Sequence, residues 1–328
     1  MSLLAPLLES FFTQRLLTQR NASPNTIAAY RDTFRLLLTF AHRRNGKNPS
    51  RLDIADIDAA LIGAFLDYLE RDRGSSKRTC NARLTAIRSL FQYASYEHPE
   101  HAATIQRVLA IPPKRTHHPQ LTFLTEAEVD ALLADPDRST PLGRRDHALL
   151  LLAIQTGLRV SELTALRRHD VHLGTGAYVS CVGKGRKQRS TPLTQQTVAV
   201  LRDWLRRPGA QADPLFPGPA GNALGRDAVR RLVTRHVDNA ALHCRSLASK
   251  RVSPHTLRHT AAMRLLQAGV DTSVIALWLG HEQPRTTLIY LRADLRLKER
   301  ALERTAPPNT KPGRYRAPDA LLAFLDSL

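Results

Sequence analysis

A short segment rich in proline and basic residues divides this chain into two regions of helical sequence pattern, and this division constrains the fold most. The segment, residues 111–119, has no apolar periodicity. Proline restricts its own backbone and that of the residue before it, so the stretch favours an extended linker over a helix. The sequence therefore predicts two domains at 1–112 and 121–305, a linker at 113–120 and a C-terminal tail at 306–328.

Length and charge narrow the class of protein. A chain of 328 residues is long enough to bury two cores. It carries 48 Lys and Arg against 29 Asp and Glu, a formal net charge of +19. A positive excess of this size, spread along the chain, is typical of a protein that lies along a polyanion. Nucleic acid is therefore the first predicted partner, and a merely basic protein or a ribosomal accessory factor is the alternative.

The sequence gives no indication of a membrane span or a metal site. Its longest apolar run, residues 148–154, is far shorter than the roughly 20 residues of a membrane-spanning helix. Residues 2–12 are apolar without a basic leader, which favours an amphipathic helix over a signal peptide. The three cysteines are widely spaced and match neither a disulfide framework nor a metal-ligand pattern. We expect a cytoplasmic, nucleoid-associated protein without metal or cofactor.

Start and stop signals predict the secondary structure. Ser23 before Pro24 predicts the first residues of a helix, and Gly46 lies at its expected end. Further helices are predicted at 58–73, 76–97 and 146–156, and again from residue 227 onward. Between them, two short strands flank a basic, glycine-containing turn at 183–189.

One face of the helix predicted at 76–97 is polar and partly basic. Arginine, threonine and amide side chains on one helix face can contact a DNA groove, and a solvated face is the alternative. Together with basic residues of the linker and the turn, this face supplies the predicted DNA-contacting residues. They are Arg78, Thr85, Arg88, Lys114, Arg115 and Lys187.

Several short motifs hold side chains suited to phosphate chemistry. Arg159 follows a glycine at a helix end, and its planar guanidinium can contact two phosphate oxygens at once. His255 and Arg258 are one helical turn apart, so both lie on one face. Tyr290 is a potential nucleophile, but a phenol with a pKa near 10 needs adjacent positive charge or a base to react at neutral pH. Taken singly, surface ion pairs and a packed aromatic are the commoner explanations.

The order and spacing of these motifs resemble the tyrosine recombinases, also called phage-type integrases. The resemblance rests on Thr-Gly-Leu-Arg159-Val-Ser-Glu-Leu, Val-Gly-Lys184-Gly, His255-Thr-Leu-Arg258-His-Thr, Leu-Gly-His281 and Thr-Thr-Leu-Ile-Tyr290. It extends from about residue 124 to 298, and the N-terminal region is similar to the family's helical core-binding, SAM-like domain. The resemblance implies a mainly α-helical protein, whose mostly helical catalytic domain contains a small antiparallel β-sheet.

The resemblance also implies a role for each catalytic side chain at the scissile phosphodiester. Tyr290 would attack the phosphate and form a 3′-phosphotyrosyl bond, which frees a 5′-hydroxyl. Arg159 and Arg258 would hold the non-bridging oxygens, and His281 would donate a hydrogen bond to the same phosphate.

Proton transfer and positioning are assigned to the remaining residues of the motifs. His255 would assist proton transfer at the nucleophile, and Lys184 would protonate the departing 5′-oxygen, with Lys187 as a lesser candidate. Glu162 would orient Arg159 or His255 without reacting.

The resemblance implies a site-specific recombinase of duplex DNA. Such an enzyme needs neither ATP nor metal, because the phosphodiester energy is retained in the protein–DNA bond. It implies a homotetramer on DNA, with accessory recombination proteins as further candidate partners. We expect integration or excision of a mobile element. The alternatives are Xer-type dimer resolution, topoisomerase-like relaxation of supercoils and a catalytically idle DNA-binding accessory protein.

Overall fold

The computed structural model describes residues 3–116, 121–183, 187–206, 213–281 and 287–293. The chain separates into two compact units, Met1–Pro119 and Gln120–Leu328. The described residues are mainly helical and contain one small antiparallel sheet, so the predicted fold class is confirmed. None of the helices described in these ranges is both long enough and apolar enough to cross a membrane.

The regular elements described in the N-terminal unit are all helices. Its α-helices are α1 (Leu4–Ser10), α2 (Pro24–Asn45), α3 (Ala59–Arg71), α4 (Lys77–Glu97) and α5 (Ala102–Leu109). A π-helical stretch continues α1 over Phe11–Gln19, and short 3-10 turns lie at Pro49–Arg51, Ile54–Asp56 and Pro99–His101. Apolar side chains from all five α-helices form one core.

The C-terminal unit combines helices with a small sheet. Its elements are α6 (Glu126–Ala134), α7 (Pro141–Thr156), α8 (Val160–Ala165), β1 (Val171–His172), β2 (Tyr178–Val182), β3 (Gln188–Pro192), α9 (Gln195–Leu205), α10 (Arg226–Ala240), α11 (Arg245–Ala248), α12 (Pro254–Gln267), α13 (Thr272–Leu279) and α14 (Leu288–Ala293), with a 3-10 turn at Arg168–Asp170. The strands pair antiparallel in the order β1-β2-β3, with Val179 opposite Val171 and Thr191.

Two apolar clusters stabilise this unit and position the site. The larger one contains α7, whose apolar stretch from Ala148 to Ile154 is buried, together with side chains from α6 and α8 to α12. The smaller one joins α12 and α13 to Tyr290 of α14 through Met263, Leu266 and Leu279. The second cluster therefore holds the predicted nucleophile against α12.

The helix signals at Ser23 and Gly46 are confirmed, and other parts of the predicted secondary structure need correction. The Ser23 hydroxyl accepts a hydrogen bond from the amide of Thr26, and Gly46 ends α2 with a φ of 69°. However, α7 begins at Pro141, not at residue 146, because Thr140 caps it and Pro141 occupies the first turn. The sequence analysis also missed α5, α8 and α9 and the two-residue strand β1, and β3 begins at Gln188, inside the predicted turn.

The predicted linker begins within the N-terminal unit. The Nζ of Lys114 lies 3.0 Å from Asp67 and 2.5 Å from Glu70, both on α3, and its amide donates to Asn81 of α4. Lys114 is therefore bound to the helical bundle. The domain boundaries remain predictions, and the tail at 306–328 lies outside the described residues.

Candidate active site

The turn between α7 and α8 positions the first arginine. Gly157 ends α7 with a φ of 63°, a left-handed conformation that glycine adopts without strain. Two residues later, the amide of Arg159 donates to Glu162 Oε2 at 2.8 Å in a capping arrangement at the start of α8. The cap fixes the Glu162 carboxylate beside the guanidinium of Arg159.

Glu162 is a buried carboxylate that holds two arginines. Its Oε1 accepts from Arg159 Nη1 at 2.8 Å, and its two oxygens accept from Arg189 Nη1 and Nη2 at 3.1 and 2.7 Å. Burial alone would raise the pKa of Glu162, but the hydrogen bonds from Arg189 and Arg159 outweigh it and hold the pKa below its usual value. The cluster therefore has one negative and two positive charges, and its net charge favours an anion.

Arg258 is the second arginine and is more deeply buried. Its Nη1 donates to the carbonyl of Gly157 at 2.6 Å, and its Nη2 donates to the carbonyl of Leu279 at 2.7 Å. Both carbonyls lie at helix C-termini, where backbone acceptors lack intrahelical partners and the helix dipole is negative. Burial lowers the pKa of Arg258 to about 10, with the charge of Arg159 as a further cause. Arg258 still carries its charge at neutral pH.

A second glycine turn joins the two arginines. Gly280 ends α13 with a φ of 64°, and its carbonyl accepts from Arg159 Nη2 at 3.0 Å. A Cβ on Gly280 would lie 2.7 Å from Arg189 Nη1, so the turn fits closely against the arginine cluster. The C-termini of α7 and α13 thus fix Arg159 and Arg258 through backbone carbonyls.

Tyr290 lies beside these arginines with its side chain buried. It is 1% exposed, and its hydroxyl lies 3.2 Å from Nδ1 of His259 on α12. Its ring is stacked with that of His281, with centroids 6.3 Å apart and planes at 10°. Burial raises the pKa of Tyr290, and the charges of Arg258 and Arg159 oppose that rise.

His281 lies directly after the Gly280 turn. Its Nδ1 is 2.8 Å from the hydroxyl of Thr287. Burial lowers the pKa of His281 to about 4, and the neighbouring charges of Arg258 and Arg159 contribute in the same direction. At neutral pH the imidazole is therefore uncharged and can donate one hydrogen bond from its protonated ring nitrogen.

The structure brings together most of the residues predicted to be catalytic. Arg159, Arg258, His281 and Tyr290 form one site, and Glu162 contacts Arg159, the first of its two predicted partners. The side chain of His255 is exposed, and its ring centroid lies 6.3 Å from that of His259. Lys184 lies outside the described residues.

Two residues of the site were missed by the sequence analysis. His259 contacts the Tyr290 hydroxyl, and Arg189 binds Glu162. A signal for His259 was present, since positions i, i+3 and i+4 from His255 share a helix face. For Arg189, the alternation of β3 provides one, because Arg189 and buried Thr191 lie on the same side of the strand.

The predicted DNA-contacting residues fall into two groups. Arg78, Thr85, Arg115 and Lys187 are exposed. Arg88 donates from Nε and Nη2 to the carbonyl of Leu109 at 3.1 and 2.5 Å, and Lys114 has the ion pairs given above. Arg88 and Lys114 therefore also stabilise the N-terminal unit, a role that the sequence did not indicate. In the described part of the chain, no cluster of His, Cys, Asp and Glu could hold a metal ion.

Comparisons with known proteins match both units. Residues 122–296 match the phage integrase family, and residues 10–98 match the phage integrase N-terminal SAM-like domain. The protein named "Putative integrase/recombinase y4rC" of Sinorhizobium fredii is 59% identical over 327 residues, which cover 99% of this chain and 98% of that protein. Tyrosine recombinase XerD of Yersinia pestis is 35% identical over 292 residues, covering 87% of this chain and 92% of the relative.

Solved structures share the fold. The XerH site-specific recombinase bound to palindromic difH substrate, in a post-cleavage complex, matches with a TM-score of 0.68 and 24% identity over 86% of this chain and 81% of that chain. From the family match and the close relatives, the chain belongs to the phage integrase family, the tyrosine recombinases, which cut and rejoin DNA through a tyrosine nucleophile.

Proposed function

We propose that Tyr290 is the nucleophile with which this recombinase cuts duplex DNA at specific sites, and that Arg159 and Arg258 bind the scissile phosphate. The observation that carries the proposal is the position of the buried Tyr290 phenol beside Arg258 and Arg159, whose charges oppose the rise in its pKa that burial causes. Positive charge that is already oriented stabilises a pentacovalent phosphate without reorganisation during the reaction.

The two arginines contribute differently. The side chain of Arg159 is 25% exposed, so it offers N–H groups to an incoming phosphate oxygen. Arg258 is 5% exposed, and the hydrogen bonds described above use two of the five N–H donors of a guanidinium. Arg159 therefore grips the phosphate, while Arg258 supplies a fixed positive charge and its remaining donors. His281 donates a further hydrogen bond to a non-bridging oxygen.

The proposed reaction exchanges one phosphodiester for another. A bond forms between Tyr290 Oη and phosphorus, and the bond between phosphorus and the 5′-oxygen breaks. Lys184 gives a proton to that oxygen, and the product is a 3′-phosphotyrosyl link with a free 5′-hydroxyl. Attack by the 5′-hydroxyl of a partner strand reverses the step, so no ATP is consumed.

We also propose the biological setting. The chain acts as a homotetramer on two DNA sites, and it integrates or excises a mobile element. The 59% identity to an integrase/recombinase supports this role, and the 35% identity to XerD supports dimer resolution as the second candidate. The two roles differ in product, since integration joins an element to new flanking DNA and dimer resolution separates two identical copies.

Covalent trapping tests the nucleophile. DNA fragments flanking the gene, nicked near candidate sites so that the cleaved strand diffuses away, should accumulate on the wild-type protein. Tyr290→Phe should bind the same fragments with equal affinity and trap none of them. Equal trapping by both proteins would contradict the assignment of Tyr290. Relaxation of plasmids that lack any such site would favour a topoisomerase instead.

A further inference from the structure

The group that contacts the Tyr290 hydroxyl is His259. Its Nδ1 lies 3.2 Å from Oη, within hydrogen-bond reach, and the two ring centroids are 5.7 Å apart. His255 lies one turn earlier on α12 with its side chain exposed, and its ring neighbours His259. Of these two histidines of the same helix face, His259 is therefore the one in contact with the reacting atom.

We propose that His259 accepts the proton of Tyr290 as the phenol attacks the phosphate, an inference that rests on the proposed role of Tyr290 as nucleophile. The proton moves from Oη to Nδ1 while the bond from Oη to phosphorus forms and the bond to the 5′-oxygen breaks. His259 becomes an imidazolium, and it returns the proton to Oη when the 5′-hydroxyl of the partner strand displaces the tyrosine. The step requires that Nε2 carries the ring proton of neutral His259.

The surroundings keep His259 unprotonated before DNA binds. Burial lowers its pKa to about 4, and the nearby His255 and Arg258 contribute in the same direction. Among the described residues, Tyr290 of α14 and His281 are the other titratable groups that face it. At neutral pH the Nδ1 lone pair is thus free to accept a proton, as a general base requires.

DNA binding makes the proton transfer easier. A bound phosphate brings negative charge next to Arg159 and Arg258, and negative charge raises the pKa of a neighbouring imidazole. The phenol in turn becomes much more acidic as its oxygen bonds to phosphorus. Bound substrate thus brings the pKa of the Tyr290 phenol and that of His259 closer together. The proton is therefore transferred to His259 as the phenol attacks the phosphate.

The test compares two substitutions on the same helix face, His259→Asn and His255→Asn. Asparagine retains a polar side chain of similar reach to Nδ1 but cannot take up a proton. We expect His259→Asn to slow covalent trapping of nicked DNA about 100-fold or more at pH 7, in the range of general-base catalysis. Its rate should then rise about tenfold per pH unit toward pH 10, because hydroxide ionises the phenol without a base. His255→Asn should lack this rise.

A modified substrate separates this role from leaving-group protonation. DNA with sulfur in place of the bridging 5′-oxygen releases a thiolate that needs no proton. It should restore cleavage by Lys184→Ala and leave His259→Asn slow. Restoration of His259→Asn by this substrate would overturn the proposal, as would a tenfold rise per pH unit in His255→Asn with a wild-type profile in His259→Asn.

The same trapping experiments distinguish failure of the proposed function from failure of the proton-acceptor proposal. If wild type traps no DNA on any tested fragment, or Tyr290→Phe traps it equally, the proposed function itself fails. If wild type traps DNA, Tyr290→Phe does not, and His259→Asn matches wild type at every pH, only the proton acceptor is wrong. Should His259→Asn lower the melting temperature strongly, His259→Gln, which also cannot take up a proton, is expected to show the same pH dependence.

Discussion

At the scale of single residues, Glu162 is the buried carboxylate that balances the charges of Arg159 and Arg189. Substitution Glu162→Gln keeps its shape but leaves Arg159 and Arg189 without a counter-charge. Breaking a buried ion pair in this way should lower the free energy of unfolding by roughly 3 kcal/mol, measured by urea denaturation. A bound DNA phosphate replaces the missing negative charge, so saturating DNA should restore more stability to the variant than it adds to wild type.

A matched control exists in the same unit. Glu128 is also a buried carboxylate at the third position of a helix, and it pairs with Lys250 at 2.6 Å. Glu128→Gln should destabilise the unit by a comparable amount without extra recovery on DNA and without slowing cleavage. If DNA restores the same amount of stability to both variants, the phosphate does not bind at the arginines that Glu162 holds.

The neutral histidines of the site make stability depend on pH. His259 and His281 have a pKa of about 4 in the folded state against 6.5 for an unperturbed imidazole. Between pH 6.5 and 4 the unfolded chain binds more protons than the folded one, so stability falls as pH falls through this window and is constant above it. Burial lowers the pKa of His147 as well, which adds to the effect.

Thermal unfolding at pH 7.5 and pH 5 measures this prediction. The melting temperature of wild type should drop by several degrees at the lower pH. The double substitution of His259 and His281 by Asn should reduce that drop. An equal drop in both proteins would mean that the imidazoles are not the groups responsible.

The residues of the site could be predicted from the sequence only in part. Family resemblance predicted the grouping of Arg159, Arg258, His281 and Tyr290, since no local rule joins groups as far apart as Arg258 and Gly157, 101 positions away. The resemblance indicates His255 as the residue that assists proton transfer at the nucleophile. Which of the histidines on one helix face is exposed, and which contacts Tyr290, cannot be derived from spacing alone.

At the scale of elements, the turns after α7 and α13 align the site, and Gly157 packs closely against buried apolar side chains. A Cβ there would lie 2.6 Å from Leu279 Cδ2 and 3.1 Å from Ala261 Cβ, and the positive φ adds strain. We expect Gly157→Ala to lower the free energy of unfolding by about 2–4 kcal/mol and to slow cleavage, since its carbonyl binds Arg258.

A substitution at Gly269, after α12, measures the cost of backbone strain without the cost of crowding. It has a φ of 83°, but a Cβ there would meet nothing within 4 Å. Gly269→Ala should therefore show the backbone cost alone, about 1 kcal/mol, with normal cleavage. Equal losses for the two variants would show that crowding at Gly157 has no energetic effect.

Helix ends can be predicted because caps are local. Ser23 and Ser76 each cap a helix where the sequence indicated one. Thr140 with Pro141 is such a signal at the start of α7, but the charged residues that follow it obscured the helix. In α7 the first turns contain Arg145 and Asp146, which are buried with Asp146 paired to Arg145, Arg235 and His236. Charged residues normally indicate surface, so their burial by tertiary ion pairs concealed the helix.

At the scale of the whole molecule, the positive charge should make DNA binding strongly dependent on salt. Each phosphate contact contributes about −0.9 to the slope of log affinity against log salt concentration. Arg115→Ala removes an exposed cation of the predicted linker and should make the slope less steep by about one, measured by fluorescence anisotropy from 50 to 200 mM salt. An unchanged slope would exclude Arg115 from the interface.

The C-terminal tail is expected to act in assembly. The sequence predicts a short apolar helix at 318–328 on an extended tether at 306–316, both outside the described residues, and we predict that it docks on a neighbouring protomer. Deleting residues 307–328 should impair recombination and tetramer formation on DNA but spare DNA binding by the monomer. Unchanged recombination would contradict this docking, and weakened binding by the monomer would indicate a helix that folds back on its own domain.

The burial of Tyr290 limits unwanted cleavage of DNA. Tyr290 is 1% exposed as a residue, and it packs in one apolar cluster with Met263, Leu266 and Leu279, so a passing phosphate cannot reach it by simple collision. With Tyr290 in its proposed role of nucleophile, a bound duplex must first gain access to the phenol, which costs free energy that an extensive complex can supply. Accidental nicking is thereby suppressed by the shape of the resting enzyme, independently of how well it distinguishes one DNA sequence from another.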